Sequence, residues 1–267
     1  MPDRMADTER QAIVLDNVAF EVAGKIVLEP LSFAFSGRGV TGLIGLNGSG
    51  KSTLLKILAR QQQPTAGSIS FEGKMLQAWG ERDFARKVAY LPQHTPLAAG
   101  LKVRELVELG RYPWHGAFGR FGPSDQEKVD QALALTSTDA IADRFVDTLS
   151  GGERQRVWLA MLLAQDARLL LLDEPISALD VAHQVSVLGL IRRLSVEKEI
   201  AVIIVIHEIN MAARYCNEIV ALKNGRMIAH GPTNEFMTVR RLEEIYDVTM
   251  GIFTNPGTGA ATVYVRA

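Results

Sequence analysis

The sequence has only one cysteine, Cys216, so no internal disulfide can form, and nothing near it has the spacing of a metal-ligand set. The expectation that follows is a reducing compartment, with Cys216 a small buried thiol. Neither sign of charge is in excess: 29 Lys and Arg against 30 Asp and Glu leave a formal net charge of −1. That balance removes the broad basic surface needed for a sequence-independent grip on nucleic acid. Residues 1–10 are polar and of mixed charge, without the basic start and apolar core of a secretory signal, so export is not expected. The most apolar stretches, residues 169–172 and 200–206, fall far short of the ~18 residues needed to span a bilayer. Any service to a membrane must then go through a partner.

What is present is ordinary for a globular chain. With 47% apolar and 22% charged residues, 267 residues can bury a sizeable core and suit one domain carrying a subdomain. Over residues 12–35 the apolar side chains tend to alternate, Val14, Val18 and Phe20 and then Leu31, Phe33 and Phe35, which predicts antiparallel strands packed on one face. Residues 40–45 read as a buried strand entering a glycine-rich turn. Residues 51–60 continue as a helix with Leu54, Leu55, Ile57 and Leu58 as its apolar stripe. Residues 97–149 differ: three helices, over 103–109, 125–135 and 139–145, are punctuated by Pro96, Pro113 and Pro123. Next come a helix over 153–164, a strand over 169–172, a helix over 181–194 and a strand over 200–206. Asn224-Gly225 then makes a hairpin between residues 219–222 and 227–229. Such alternation predicts an α/β fold with a mainly parallel sheet, an antiparallel β part and an inserted helical subdomain. The layout is one domain over residues 1–267. Its core comprises residues 12–95 and 150–232, its helical subdomain residues 96–149 and its C-terminal extension residues 233–267.

The turn after the first buried strand carries the chemistry. Gly45, Leu46, Asn47, Gly48, Ser49, Gly50, Lys51 and Ser52 satisfy G-x-x-x-x-G-K-[ST], with Thr53 next in the first helical turn. Glycines let backbone N–H groups close on phosphate oxygens, Lys51 brings charge to the β- and γ-phosphates, and the Ser52 hydroxyl suits Mg²⁺. The helix that follows points its positive end at the same anion. A connecting glycine turn is the bland alternative, but its placement between strand and helix argues for ATP or GTP. Kinases, GTPases, motors and transport ATPases all remain open on that motif alone.

Two further segments narrow the choice. Leu169–Leu172 ends in Asp173 and Glu174, where a strand emerging at the carboxyl edge of the sheet brings Asp173 beside the loop to hold the Mg²⁺ shell. Glu174, one residue on, stands where a carboxylate can polarise a water for in-line attack. In Leu149-Ser150-Gly151-Gly152-Glu153-Arg154-Gln155, Ser150 caps a helix whose first N–H groups are left bare by Gly151 and Gly152. That is a second anion site in a chain that already cradles phosphates once.

This heptapeptide resembles the signature of ABC-type ATPases. Together with residues 45–52, Asp173-Glu174, Gln93, Ser177-Ala178-Leu179-Asp180 and His207, it matches that family's motifs in their order over residues 12–232. The resemblance implies a P-loop NTPase core that binds ATP and Mg²⁺. It also implies a head-to-tail dimer in which Ser150, Gly151 and Gly152 of one copy complete the nucleotide site of the other. By the same resemblance Glu174 is the catalytic base, Gln93 senses Mg²⁺ and the attacking water, His207 contacts the γ-phosphate, and Asp180 links the two sites. Two positions depart from the family. Val22 stands where an aromatic ring often stacks on adenine, so apolar contact replaces stacking, and Ile176 follows Pro175 where threonine is frequent. His94, His115, His183 and His230 are expected to be surface or packing residues.

The segment Gly110-Arg111-Tyr112-Pro113-Trp114-His115-Gly116, followed by Phe118 and Phe121, concentrates aromatics in a polar stretch. That composition suits either a docking surface or a small satellite core. It is similar to the segment of ATPases serving iron-siderophore, haem and vitamin B12 importers, most of all the ferric-hydroxamate branch. The resemblance then implies a separate integral-membrane permease, a periplasmic substrate-binding protein and a place on the cytoplasmic face of a bacterial inner membrane. The alternatives are an importer for haem or vitamin B12 and an ABC exporter. Only 97 residues separate Ser52 from Ser150, with no long coiled coil between them and a single phosphate loop in the chain. DNA-repair and paired-cassette translation ATPases are therefore disfavoured.

Overall fold

In the computed structural model, which describes residues 11–96, 98–116, 119–257, 259 and 261–266, the chain opens with an antiparallel hairpin of β1 (Gln11–Val22) and β2 (Lys25–Ser36). It then runs through β3 (Val40–Ile44) into helix α1 (Lys51–Leu58), and returns to the hairpin with β4 (Ala66–Phe71) and the short β5 (Lys74–Met75). These make an antiparallel sheet in the order β2-β1-β4-β5. Helix α2 (Glu81–Ala85) and β6 (Val88–Leu91) lead to the helical segment, which holds α3 (Val103–Leu109), α4 (Tyr112–His115) and α5 (Pro123–Thr136). The chain re-enters the core through α6 (Gly151–Ala164), β7 (Leu169–Leu172), α7 (Val181–Glu197), β8 (Ala201–Val205), α8 (Ile209–Tyr215), β9 (Glu218–Lys223) and β10 (Arg226–Pro232). The C-terminal part adds α9 (Thr233–Phe236), α10 (Val239–Tyr246) and a hairpin of β11 (Met250–Thr254) and β12 (Ala261–Val265).

The second sheet has the order β10-β9-β3-β8-β7-β6, parallel throughout except for β10 on β9. Its continuous apolar runs are explained by burial on both faces. Leu170 and Leu172 enter the core shared with the helices, while Leu169 and Leu171 enter the one shared with the antiparallel sheet and α1. Each fully buried Leu or Ile contributes on the order of 2 kcal/mol. The α/β class and the inserted helices match the sequence expectation. Cys216, at the end of α8, is buried, and burial pushes its thiol up to about 12.

Two local expectations need correction, and one segment takes a structure that the sequence reading did not assign. In β1 the buried residues are Ile13, Leu15, Val18 and Phe20, and Val14 is only half-buried. The alternation from Val14 therefore starts on the wrong face. An irregularity between Leu15 and Val18, with Asn17 at φ 50°, restores the inward phase. Residues 139–145 form no helix beyond a 3₁₀ turn, Asp139–Ile141. The carbonyls of Ala142 and Arg144 instead accept from the N–H groups of Arg104 and Val103, both at 2.9 Å, and so cap the start of α3. Four residues of the aromatic segment, Tyr112–His115, are helical, which its glycines and proline had not suggested. The expectations for residues 1–10 and for Phe118 lie outside the described residues.

Candidate nucleotide site

Parallel pairing fixes the site. Because β3, β8, β7 and β6 lie side by side and point the same way, the residues that follow them emerge along one edge. In that order the edge carries the phosphate loop after β3, His207 after β8, Asp173-Glu174 after β7 and Gln93 after β6. The loop itself needs its first glycine. Gly45 has φ 140°, and a Cβ there would overlap the carbonyl oxygen of Leu222 on β9. Gly50 occupies the N-cap of α1 and offers no capping side chain, so the first N–H groups of that helix are not claimed by a cap.

Lys51 is buried, and its ammonium donates to the carbonyls of Gly45 and Leu46, each at 2.9 Å, and to Ser49 Oγ at 3.4 Å. Burial pulls the amine below its usual value, against the opposing charges of Glu174 and Asp173. The Ser52 hydroxyl donates to Asp173 Oδ1 at 2.8 Å. Burial pushes the Asp173 carboxyl up, opposed by that hydrogen bond and assisted by the charge of Glu174. A cation beside it would favour the ionised form. No cluster of three or more His, Cys, Asp or Glu able to hold a metal occurs among the described residues. Mg²⁺ does not require one, since it is commonly held through one or two protein oxygens with phosphate and water completing the octahedron. Two hard oxygen donors, Ser52 and Asp173, stand together and fit that ion.

Glu174 adopts the left-handed conformation, φ 49°, uncommon for a residue with a long side chain. Its carboxylate lies between two groups from neighbouring strands. Gln93 Nε2 donates to Oε2 at 2.8 Å, and His207 Nε2 is 2.6 Å from Oε1. Residues from β6, β7 and β8 are thereby drawn into one cluster. A carboxylate held by two polar groups, close to where Lys51 and Ser52 would place the terminal phosphate, can accept a proton from water.

The other predicted residues stand apart. Ser150 caps α6 in a box with Glu153, whose Oε2 accepts from Ser150 N at 2.9 Å and from Ser150 Oγ at 2.7 Å. Asp180 caps α7. No hydrogen bond joins Ser150 or Asp180 to the phosphate-loop group among the described residues. Val22, 53% exposed, closes the β1–β2 hairpin, whose Val27 and Leu28 back the loop at Gly50. Leu46, Asn47 and Gly48 are exposed, and Thr53 is half-buried. His183, expected to be a bystander, places Nδ1 at 2.9 and 2.8 Å from the two Asp180 oxygens, and its ring fills the space where Gly152 has no Cβ. Tyr246 was missed too: it lines a cavity with Gly45, Leu46, Asn47 and His207. A tyrosine far beyond the last motif gives no signal in the sequence.

A phosphate loop, an acidic pair and a flanking Gln and His on one sheet edge define a nucleotide-hydrolysing cassette, and the chain belongs to the ABC transporter family, whose model matches residues 28–177. It is an ATPase of the kind coupled to transport. Its relatives narrow this further. It is 41% identical over 88% of its length to the iron(3+)-hydroxamate import ATP-binding protein FhuC of Bacillus subtilis (strain 168), covering 87% of that protein. It is 38% identical over 89% of its length to the ferric enterobactin transport ATP-binding protein FepC of Escherichia coli (strain K12), covering 88%. In structure it superposes with a TM-score of 0.83 on a putative metal-chelate type ABC transporter in an inward-facing conformation. That match covers 96% of this chain and 98% of the other at 24% identity, which supports the fold alone.

Proposed function

We propose that this chain is the ATP-hydrolysing subunit of a bacterial ferric-siderophore importer of hydroxamate type, acting as a head-to-tail dimer on the cytoplasmic face of the inner membrane. The observation that carries the hydrolytic role is the hold of Gln93 and His207 on the two oxygens of Glu174. Lys51 and the loop N–H groups bind the phosphates, and Glu174 takes the proton of the attacking water. Gln93 and His207 orient that carboxylate, and Ser150 of a second copy closes the far side of the γ-phosphate. Bound Mg²⁺, held by Ser52 and Asp173 with Gln93 nearby, would neutralise charge on the β- and γ-phosphates. Two relatives of similar identity, one named for hydroxamate and one for enterobactin, support ferric siderophore as the substrate class. No helix among the described residues is long and apolar enough to cross a membrane, in keeping with a separate permease.

The test is reconstitution of the chain with its permease in liposomes, with the periplasmic binding protein supplied. Ferric hydroxamate on the binding protein is expected to stimulate hydrolysis. Stimulation by a ferric catecholate alone would move the substrate class, and stimulation by neither would remove the siderophore reading.

The permease surface is read from two adjoining features. Helix α2 lies between a groove lined by Lys56, Arg60, Phe84, Tyr90 and Pro92, next to Gln93, and the aromatic segment. Tyr112, Trp114 and Phe121 remain 37–54% exposed, which suits docking. Trp114 is also anchored: its Nε1 donates to Gln165 O at 2.8 Å, and the Arg86 and Arg111 guanidiniums lie 5.1 and 4.9 Å from its ring. Trp114→Ala is therefore expected to destabilise the isolated chain by about 1–3 kcal/mol, through one hydrogen bond and two cation–π contacts. Permease-stimulated hydrolysis should fall further than basal hydrolysis. Melting temperature and both rates decide it, and a normal ratio of stimulated to basal rate would confine docking to the groove.

A further inference from the structure

The segment between β7 and α7 begins at the acidic pair and ends at Asp180, the N-cap of α7. Two side chains from the first turn of α7 hold it. Gln184, which is buried, donates from Nε2 to the carbonyls of Leu179 at 3.1 Å and Ile176 at 3.3 Å. His183 grips the end of the segment: its backbone N–H donates to Asp180 Oδ1 at 2.9 Å, and its ring Nδ1 lies 2.9 and 2.8 Å from the two carboxylate oxygens. These hydrogen bonds, the backbone one first, hold the Asp180 carboxyl below the usual carboxylate range, so near neutrality it is ionised and only accepts. Nδ1 therefore carries a proton whatever the charge of the ring.

The opposite edge of the same ring meets α6. A Cβ added at Gly152 would fall 2.1 Å from ring Cδ2 and 2.7 Å from Nε2, so the ring packs directly on the backbone of that helix's first turn. Beside it, Leu179 Cδ2 lies 3.7 Å from where a Cβ on Gly151 would be. Further along, Arg156 of α6 donates to Ser186 Oγ of α7 at 2.6 Å. The cap of α7 and the start of α6 thus form one body within a chain, and the His183 ring touches both. Fold stability does not account for the arrangement, since the His183 and Asp180 side chains are 43% and 67% exposed and such a pair contributes little.

We propose that His183 is a positioning residue for the nucleotide-bound dimer: it holds Asp180 with one edge of its ring and Gly152 with the other, and so fixes the spacing of the two elements that a chain presents to its partner. The segment that leaves Glu174 in one site then ends against the helix start that completes the other. This rests on the head-to-tail reading of the dimer.

Two variants separate the two edges of the ring. His183→Phe keeps a ring over Gly152 and removes the donor to Asp180, whereas His183→Asn keeps an amide donor and vacates the space over Gly152. Both are made in the full-length Glu174→Gln chain, and the dissociation constant of its dimer with ATP is measured by sedimentation. Each is expected to raise that constant about tenfold, the order of a single lost contact of this kind. ATP affinity of the single chain and its melting temperature should stay unchanged. His183 makes no hydrogen bond to the phosphate loop among the described residues, and its backbone N–H still caps α7. Native dimerisation in either variant would overturn the proposal, as would a melting temperature that falls in step with dimerisation. A Glu174→Gln chain that stays monomeric with ATP would instead remove the head-to-tail reading itself, an outcome distinguishable because it appears with His183 intact.

Discussion

Glu174→Gln is expected to slow ATP hydrolysis by roughly 10²- to 10⁴-fold while leaving nucleotide affinity nearly unchanged, the range that loss of a general base supplies. The substitution preserves volume but not chemistry, since an amide cannot take a proton from water. It also disturbs the cluster around it. Gln93 donates to one carboxylate oxygen and His207 faces the other, so an amide can satisfy one of these donors through its oxygen and must turn its NH₂ toward the second. Binding should survive because Lys51, the loop N–H groups and the Ser52–Asp173 pair do not depend on Glu174. With binding intact and hydrolysis slow, ATP should trap a dimer. Turnover and molar mass in solution, measured with and without ATP, check both halves. An unchanged rate would remove Glu174 from the role of base.

The parts of this site that were legible in the sequence are those where one local pattern dictates one local structure. An apolar run, a glycine loop and a breaker-free helix read as strand, turn and helix, and parallel pairing then carries Asp173, Glu174 and His207 to a common edge, whereas Gln93 was reached only through the family resemblance. The misses have a common physical cause, which is that a partner elsewhere in the chain decided the structure. Residues 139–145 have the composition of a helix, but the carbonyls of Ala142 and Arg144 serve the open N-terminus of α3. β6 is four residues long and gains its identity from β7 beside it. The phase of β1 is set by a bulge at Asn17 that no period-2 pattern announces. The C-terminal helix is tied to the end of β9 through Lys223 and Asp247, and Gly152 meets His183 across two helix starts, contacts between segments too far apart for spacing to reveal.

The second large effect concerns the shared sites. Lys51→Ala should abolish hydrolysis, because it removes a buried charge from the floor of the phosphate loop. Ser150→Arg should abolish it from the other side, by placing bulk where the start of α6 is to meet a phosphate. It also breaks the cap with Glu153, a loss of about 1 kcal/mol in fold stability that alone leaves the chain folded. Each pure variant is then inactive. In a head-to-tail dimer of one copy of each, both lesions fall on the same composite site and the other site is untouched. A randomly exchanged equal mixture is therefore expected to recover about a quarter of the native rate, since half its dimers are mixed and each keeps one site. Strict coupling between sites would hide that recovery, so proximity must be read separately. Cysteines placed at Asn47 and Gly151, both exposed, should cross-link between copies when ATP is bound. The native thiol will not compete, because Cys216 is buried and pushed up to about 12. Links formed only within single chains would refute the sandwich, and with it the reason for a second anion site at Ser150.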